Sequence, residues 1–150
     1  MGNKKIGREK FVENWLKLSR HDIEVAELMF KNYDWPNSVF YSQQSVERAI
    51  KALLEANGII VRGHFLADIL KREILPKEME REMQEKIIEI SSWFEKDRKW
   101  VITRYPIKKG GKIVLPEEVF TKEIASEALK KARFVLDSIS KILKEKGVEI

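Results

Sequence analysis

The chain has 150 residues, of which 43% are hydrophobic and 35% charged, and this composition predicts one globular domain over residues 1–150. It has no cysteine, no apolar run long enough to cross a bilayer and no apolar core after Met-Gly-Asn-Lys-Lys, which excludes cysteine chemistry and a signal peptide and predicts a cytoplasmic protein without membrane contact. The net charge of +5 is local, because six cations and no carboxylate lie between Arg98 and Lys112, and local basicity points to an anionic partner.

A first helix is predicted over residues 7–32, where apolar side chains recur at helical spacing. The row consists of Phe11, Trp15, Leu18, Val25 and Met29, with Asp22 as its polar member. Residues 32–36 predict a turn, because the residue before a proline is pushed out of helical geometry.

The central helix is predicted between an N-cap at Asp34 and a stop at Asn57-Gly58. Its apolar stripe contains Val39, Gln43, Val46, Ile50 and Leu53. Two interpretations of Gln43 are open: a core amide hydrogen-bonded to neighbouring helices, or an amide that points into a polar pocket between helices. Glu47 and Lys51 are spaced for an i, i+4 ion pair, which we expect on a solvated face.

Three shorter or less regular features follow the central helix. The apolar run in residues 58–64 predicts a connector that packs under the bundle, since no partner strand is evident. A short apolar helix follows His64. A long fourth helix carries Met79, Met83, Ile87, Ile90 and Phe94 at helical spacing, with Trp93 and Trp100 near its end.

Residues 103–116 contain two prolines and two glycines and predict an irregular basic loop of functional importance. The six cations in and before it are Arg98, Lys99, Arg104, Lys108, Lys109 and Lys112. Its Gly110-Gly111 pair alone does not make a glycine-rich phosphate cradle.

The last helix begins after Thr121, a good N-cap, and ends at Gly147. Its apolar stripe contains Ala125, Ala128, Ala132, Val135, Ile139 and Ile142. The fold predicted from all these segments is an all-α, up-and-down helical bundle of about five helices.

No enzyme signature is spelled by residue spacing: the chain has no zinc-protease motif, nucleophile elbow or acidic metal loop. The two histidines, His21 and His64, are far apart in sequence, so we expect no metal site and no cofactor. The basic loop and the polar part of the central helix remain as the candidate site.

Four segments together carry a family resemblance. They are the block Ser38–Leu54 with its Gln43-Gln44-x-x-Glu47-Arg48 pattern, His64 before a short helix, Arg104-Tyr105-Pro106, and the alanine-spaced helix after Thr121. Over nearly the whole chain these residues resemble the HEPN domain family. The resemblance implies a helical bundle that commonly forms a homodimer, often beside a small nucleotidyltransferase partner, and that is associated with nucleotide or RNA binding.

The chain departs from the ribonuclease toxins of that family in one respect. Those toxins carry an Arg, four to six residues and then a His near the end of the fourth helix, whereas the last histidine here is His64. In that chemistry the His transfers the proton and the Arg stabilises the phosphate. The chain therefore resembles the non-catalytic Arg-Tyr-Pro branch, and we expect no catalytic residues.

The function predicted from the sequence is non-catalytic binding of a nucleotide or another phosphate-bearing ligand. Arg104 would pair with phosphate, helped by Lys108, Lys109 and Lys112. Tyr105 would stack on a base, and Gln43, Gln44 or Glu47 would contact polar edges of the ligand. For Arg104 an ion pair with Asp97 or Glu47 is the competing interpretation.

Two alternatives stay open. The first is a toxin-type ribonuclease that uses His64, His21 or Tyr105 for proton transfer. The second is an interaction subunit that pairs with itself through an exposed apolar patch drawn from Trp93, Phe94, Trp100 or Ile107.

Overall fold

The computed structural model describes residues 2–73, 79–96 and 99–149, and its fold is the predicted all-α bundle. The five expected helices are α1 (Gly2–Lys31), α2 (Trp35–Ala56), α3 (Ala67–Arg72), α4 (Arg81–Glu95) and α7 (Lys122–Glu145). Two single-turn helices, α5 (Lys99–Ile102) and α6 (Pro116–Val119), flank a pair of short strands, β1 (Ile107–Lys109) and β2 (Lys112–Val114). Within the described ranges no helix is both long and apolar enough to span a membrane.

Helix α2 lies at the centre of the bundle and packs against α1 and α7 along its length. The caps are those predicted: the Asp34 side chain accepts from the backbone N–H of Asn37, and Asn57 ends the helix. The predicted stripe is fully buried, with Val39, Ile50 and Leu53 at most 1% exposed. Helix α7 begins at the predicted cap Thr121, and its alanines allow close approach to α2 because a methyl group takes little space.

The buried face of α1 differs from the predicted row. Phe11 and Leu18 are 63% and 42% exposed, and the residues that face the core are Val12, Leu16, Ser19, Ile23 and Ala26. The helix carries apolar side chains on two adjacent faces, so periodicity alone could not select the one that packs. The outer face of α1 therefore keeps large apolar side chains in contact with solvent.

The prediction of an irregular basic loop is wrong for residues 107–114, which form an antiparallel hairpin with Ile107 opposite Val114. Its two turn residues, Gly110 and Gly111, both have positive φ, at 58° and 79°. A two-residue hairpin turn of this kind needs left-handed conformations at both positions, which glycine adopts without a Cβ clash. The strands are lysine-rich and three residues long, so they lack the alternating pattern that marks a strand in sequence.

The connector over residues 58–64 has no strand, as predicted, and Ile59 and Val61 pack against the core. In α4, Ile87, Ile90 and Phe94 are buried. Phe94 is therefore a core residue and not part of an exposed patch. Trp93 and Ile107 are half-buried, and the side chain of Trp100 lies outside the described part of the chain.

Candidate functional site

Helices α5 and α6 flank the hairpin in the chain, and three of the predicted cations lie on its strands. Lys108, Lys109 and Lys112 are all exposed on its two strands. Arg104, also exposed, lies just before β1 and near the N-terminal half of α2. Asp97 and Arg98 lie outside the described residues. The structure therefore brings four of the predicted cations to one end of the molecule.

Arg104 contacts an aromatic side chain instead of a carboxylate. Its guanidinium carbon lies 3.7 Å from the centroid of the Phe40 ring and 5.9 Å from that of Tyr41. Among the described residues no carboxylate is within ion-pair distance of Arg104, so an ion pair with Glu47 is not formed. Stacking on a ring uses the face of the guanidinium and leaves its N–H groups at the edge, where an oxyanion can be bound.

Tyr105, the neighbour of Arg104, is 61% exposed. Its ring is accessible to a base, as the predicted stacking role requires. Gln44, on α2, is half-buried and donates its amide N–H to Oε1 of Gln43 at 3.3 Å.

A polar stripe runs along α2, on the C-terminal side of Phe40, the residue that contacts Arg104. Gln43, Glu47, Lys51 and Glu55 follow one another at intervals of four residues and are 3%, 6%, 8% and 9% exposed. The expectation that Glu47 and Lys51 form a solvated pair is therefore wrong, because both are buried, with Nζ of Lys51 3.4 Å from the Glu47 carboxylate. The i, i+4 spacing predicted the pair itself but not its burial, because the connector over residues 58–64 and α1 cover this side of α2.

Glu47 is the centre of this stripe. Its Oε1 lies 2.7 Å from Nδ1 of His64 and accepts the Gln43 amide at 3.4 Å. Gln43 is thus a buried amide, but its partner is on its own helix and not on a neighbour. The cavity beside these residues has a volume of only about 10 Å³, room for about one water. Direct ligand contact by Gln43 or Glu47 does not fit this burial.

Glu95 of α4 holds the His64 segment in place. Its carboxylate accepts from the backbone N–H of Leu66, from that of Ala67 at 3.0 Å and from the Ser91 hydroxyl at 3.3 Å. Burial raises the pKa of Glu95, while these N–H donors oppose the rise. The imidazole of His64, which is 49% exposed, is consequently held beside the buried carboxylate of Glu47. Residue spacing gave no signal for the contact between His64 and Glu47, which joins the irregular connector to α2.

A further buried carboxylate, Asp22 of α1, accepts two contacts from Nη1 of Arg48, at 3.0 and 2.9 Å. Burial raises the pKa of Asp22 from 3.8 to about 6, although Arg48 opposes the rise. Between these two values the folded chain holds a proton on Asp22 that the unfolded chain has lost. Asp22 therefore lowers the stability of the fold as the pH rises through this window.

We expect the free energy of unfolding of the wild type, relative to that of Asp22→Asn, to fall by about 2 kcal/mol between pH 4 and pH 7. The amide has the shape of the acid but does not titrate, so it isolates this one group. Urea unfolding of both proteins at the two pH values measures the difference. A difference that stays constant would show that folding does not shift the pKa of Asp22.

No metal centre is formed by the described side chains, since none of them make a group of three His, Asp or Glu suited to an ion. The arrangement as a whole offers an exposed cationic hairpin, a ring-stacked guanidinium and an accessible tyrosine. Chemically this is a surface that can hold phosphate oxygens beside an aromatic ring.

Comparison with known proteins identifies the family. A model of the HEPN domain matches residues 12–143. The chain is 38% identical over 138 residues to a candidate toxin of Methanocaldococcus jannaschii, and the match covers 91% of each protein.

Two crystal structures are similar to this fold. One is TT1696 from Thermus thermophilus, with a TM-score of 0.67 and 26% identity over 87% of this chain and 97% of that one. The other is an archaeal HEPN homologue, with a TM-score of 0.64 and 25% identity over the same shares of the two chains.

Proposed function

Because this chain belongs to the HEPN domain family, we propose that it is a non-catalytic module that binds a nucleotide or another phosphate-bearing ligand at the hairpin end of the bundle. In this proposal Arg104 pairs with phosphate, Lys108, Lys109 and Lys112 add positive potential, and the module acts together with a nucleotidyltransferase partner. The partner is suggested by the family resemblance.

The observation that carries the proposal is the stacking of Arg104 on Phe40 at 3.7 Å. A guanidinium fixed by a ring loses little side-chain entropy on binding, and its planar N–H edge matches two phosphate oxygens. Lysines on a short hairpin are exposed and contribute as point charges. The site therefore combines one oriented donor with a diffuse cationic field.

Isothermal titration calorimetry with ATP, GTP and a short RNA tests the proposal. We expect saturable binding of at least one of them, with an affinity that falls as the salt concentration rises, because cations supply much of the binding free energy. Absence of binding by all three at low salt would refute the proposal.

A ribonuclease is the second candidate, and one observation favours it beside the candidate-toxin relative. His64 lies with Nδ1 2.7 Å from the buried Glu47 carboxylate, the arrangement in which a carboxylate orients an imidazole for proton transfer. However, Arg104 contacts Phe40, two helical turns from Glu47 on α2. Phe40 and Glu47, which contact the phosphate-binding group and the proton-transfer group, are therefore about 10 Å apart along the helix axis, at about 1.5 Å per residue.

We therefore expect no cleavage of RNA by the purified protein in the presence of a chelator. The measurement follows a mixed RNA substrate over time with the wild type and with His64→Ala. Cleavage by the wild type that disappears in His64→Ala would contradict the non-catalytic proposal and place His64 in an active site.

Self-association is the remaining role that the family resemblance suggests. The large apolar side chains on the outer face of α1, with Phe11 63% and Leu18 42% exposed, would be the surface for a homodimer. Of the alternative patch drawn from the sequence, Phe94 is in the core and Trp93 and Ile107 are half-buried, so we propose the outer face of α1 instead.

A further inference from the structure

One face of the hairpin is turned to solvent. Behind its other face lies a cleft of about 480 Å³, between β1, α4, α5, α6 and α7. Its walls are largely apolar and contain Trp93, Ile102, Ile107, Val119, Phe120 and Ile124. Cavities of about 300 to 1,000 Å³ with apolar walls and a few polar groups are typical of small-molecule sites. None of the residues assigned to phosphate binding, apart from Lys109, lines this cleft.

Lys109 connects the cleft to the proposed phosphate site. Successive residues of a strand point to opposite faces, so Ile107 and Lys109 face the cleft while Lys108 points away from it. Part of the hairpin's positive charge is consequently directed at the mouth of an apolar cavity. This combination suits a ligand with one apolar flat part and one anionic part.

A second lysine lines the cleft. Nζ of Lys99 lies 4.5 Å from the centroid of the Trp93 ring, where the indole face attracts an ammonium group. Lys131, 5.2 Å from the same centroid, is neutralised by its ion pair with Glu127. Lys99 and Lys109 are therefore the cations of the lining that favour an anionic group in the ligand.

The lining of the cleft includes one carboxylate beside its apolar side chains and two lysines. The carboxylate of Glu127 lines the cleft and binds Nζ of Lys131 through Oε1 at 3.1 Å. A carboxylate offers about four acceptor positions, so Glu127 can also accept the ring or exocyclic N–H groups of a nucleobase. A purely aliphatic ligand would donate no hydrogen bond to the Glu127 carboxylate.

From these observations we infer that the cleft is the base-binding part of the nucleotide site: the base of a nucleoside phosphate enters between Trp93 and Ile124, and its phosphates extend from Lys109 along the hairpin to Arg104. The inference rests on the proposed function and assigns the base a different contact from Tyr105. It predicts that the base adds affinity beyond that of the phosphates.

The test compares ATP and GTP with inorganic tripolyphosphate, which has the charge but no base. The wild type is expected to bind at least one nucleotide about tenfold or more tightly than tripolyphosphate, which is about 1.4 kcal/mol. Ile124→Trp fills the cleft and is expected to remove this preference while leaving tripolyphosphate affinity unchanged. Val119→Trp, in another wall, is the second filling variant, and circular dichroism and thermal unfolding show which variants fold.

Tyr105→Ala is the matched comparison, because it removes the competing base contact. If Tyr105→Ala abolishes the preference, or if a folded filling variant retains it, the cleft is not the base site. Equal binding of nucleotide and tripolyphosphate by the wild type would overturn the inference but leave phosphate binding intact. Absence of binding by every probe would instead refute the proposed function.

The fluorescence of Trp93 provides a readout that needs no filling variant. Nucleotide is expected to change the emission of the wild type after correction for absorbance, tripolyphosphate is not, and the change is expected to disappear in Trp93→Phe. An identical change in Trp93→Phe would place the base elsewhere.

Discussion

Replacement of Glu47 by alanine is expected to lower the free energy of unfolding by about 3 to 5 kcal/mol, the range seen when one member of a buried ion pair is removed. Glu47 is 6% exposed and is the acceptor shared by His64, Gln43 and Lys51. Without it, Lys51 would be a buried cation that has lost its carboxylate. Urea unfolding followed by circular dichroism measures the change.

The control for Glu47→Ala is Glu85→Ala. Glu85 also forms an i, i+4 pair, with Arg81 at 3.2 Å, but the two side chains are 65% and 91% exposed. Its removal is expected to change stability by no more than about 0.5 kcal/mol. A loss below about 1 kcal/mol for Glu47→Ala would mean that solvent reaches this stripe and that the connector does not cover it.

The second large effect concerns the ligand. Arg104→Ala is expected to weaken nucleotide binding about 10- to 100-fold, because a hydrogen bond to a charged group contributes about 1.5 to 3 kcal/mol. Arg104→Lys keeps the charge but not the planar group that stacks on Phe40, so an intermediate loss is expected. Calorimetric titration of the three proteins at one salt concentration measures the series.

Arg133→Ala is the control for net charge. Arg133 is an exposed arginine bound to Glu27 at 2.8 Å, and its removal also lowers the net charge by one. We expect it to leave nucleotide affinity within about twofold, since the charge of Arg133 is already paired with Glu27 and salt screens exposed charges. Equal affinities of Arg104→Ala and the wild type would exclude Arg104 from the site.

The helices whose buried face could be predicted from the sequence are those with a single apolar face. The stripe of α2 and the alanine-spaced stripe of α7 are buried as predicted, because each has only one apolar face. In α1 two apolar faces compete, and only the tertiary packing shows that Leu16 faces the core while Phe11 does not.

The candidate site was predictable in its charges but not in its contacts. The run of cations in residues 98–112 is visible in the sequence, and Arg104, Lys108, Lys109 and Lys112 do lie together. The partner of Arg104 was not foreseen, since Phe40 is 64 residues away on another helix. The cleft was also missed, because it is formed by five separate elements whose residues carry no common motif.

Backbone amide chemical shifts, followed while ATP or GTP is added to isotope-labelled protein, locate the nucleotide site residue by residue. We predict that the largest changes occur over residues 102–112 and at Phe40 and Tyr41, with a second group at the cleft around Ile124. Changes concentrated on the outer face of α1 or in the first two turns of α4, with the hairpin unaffected, would contradict this prediction.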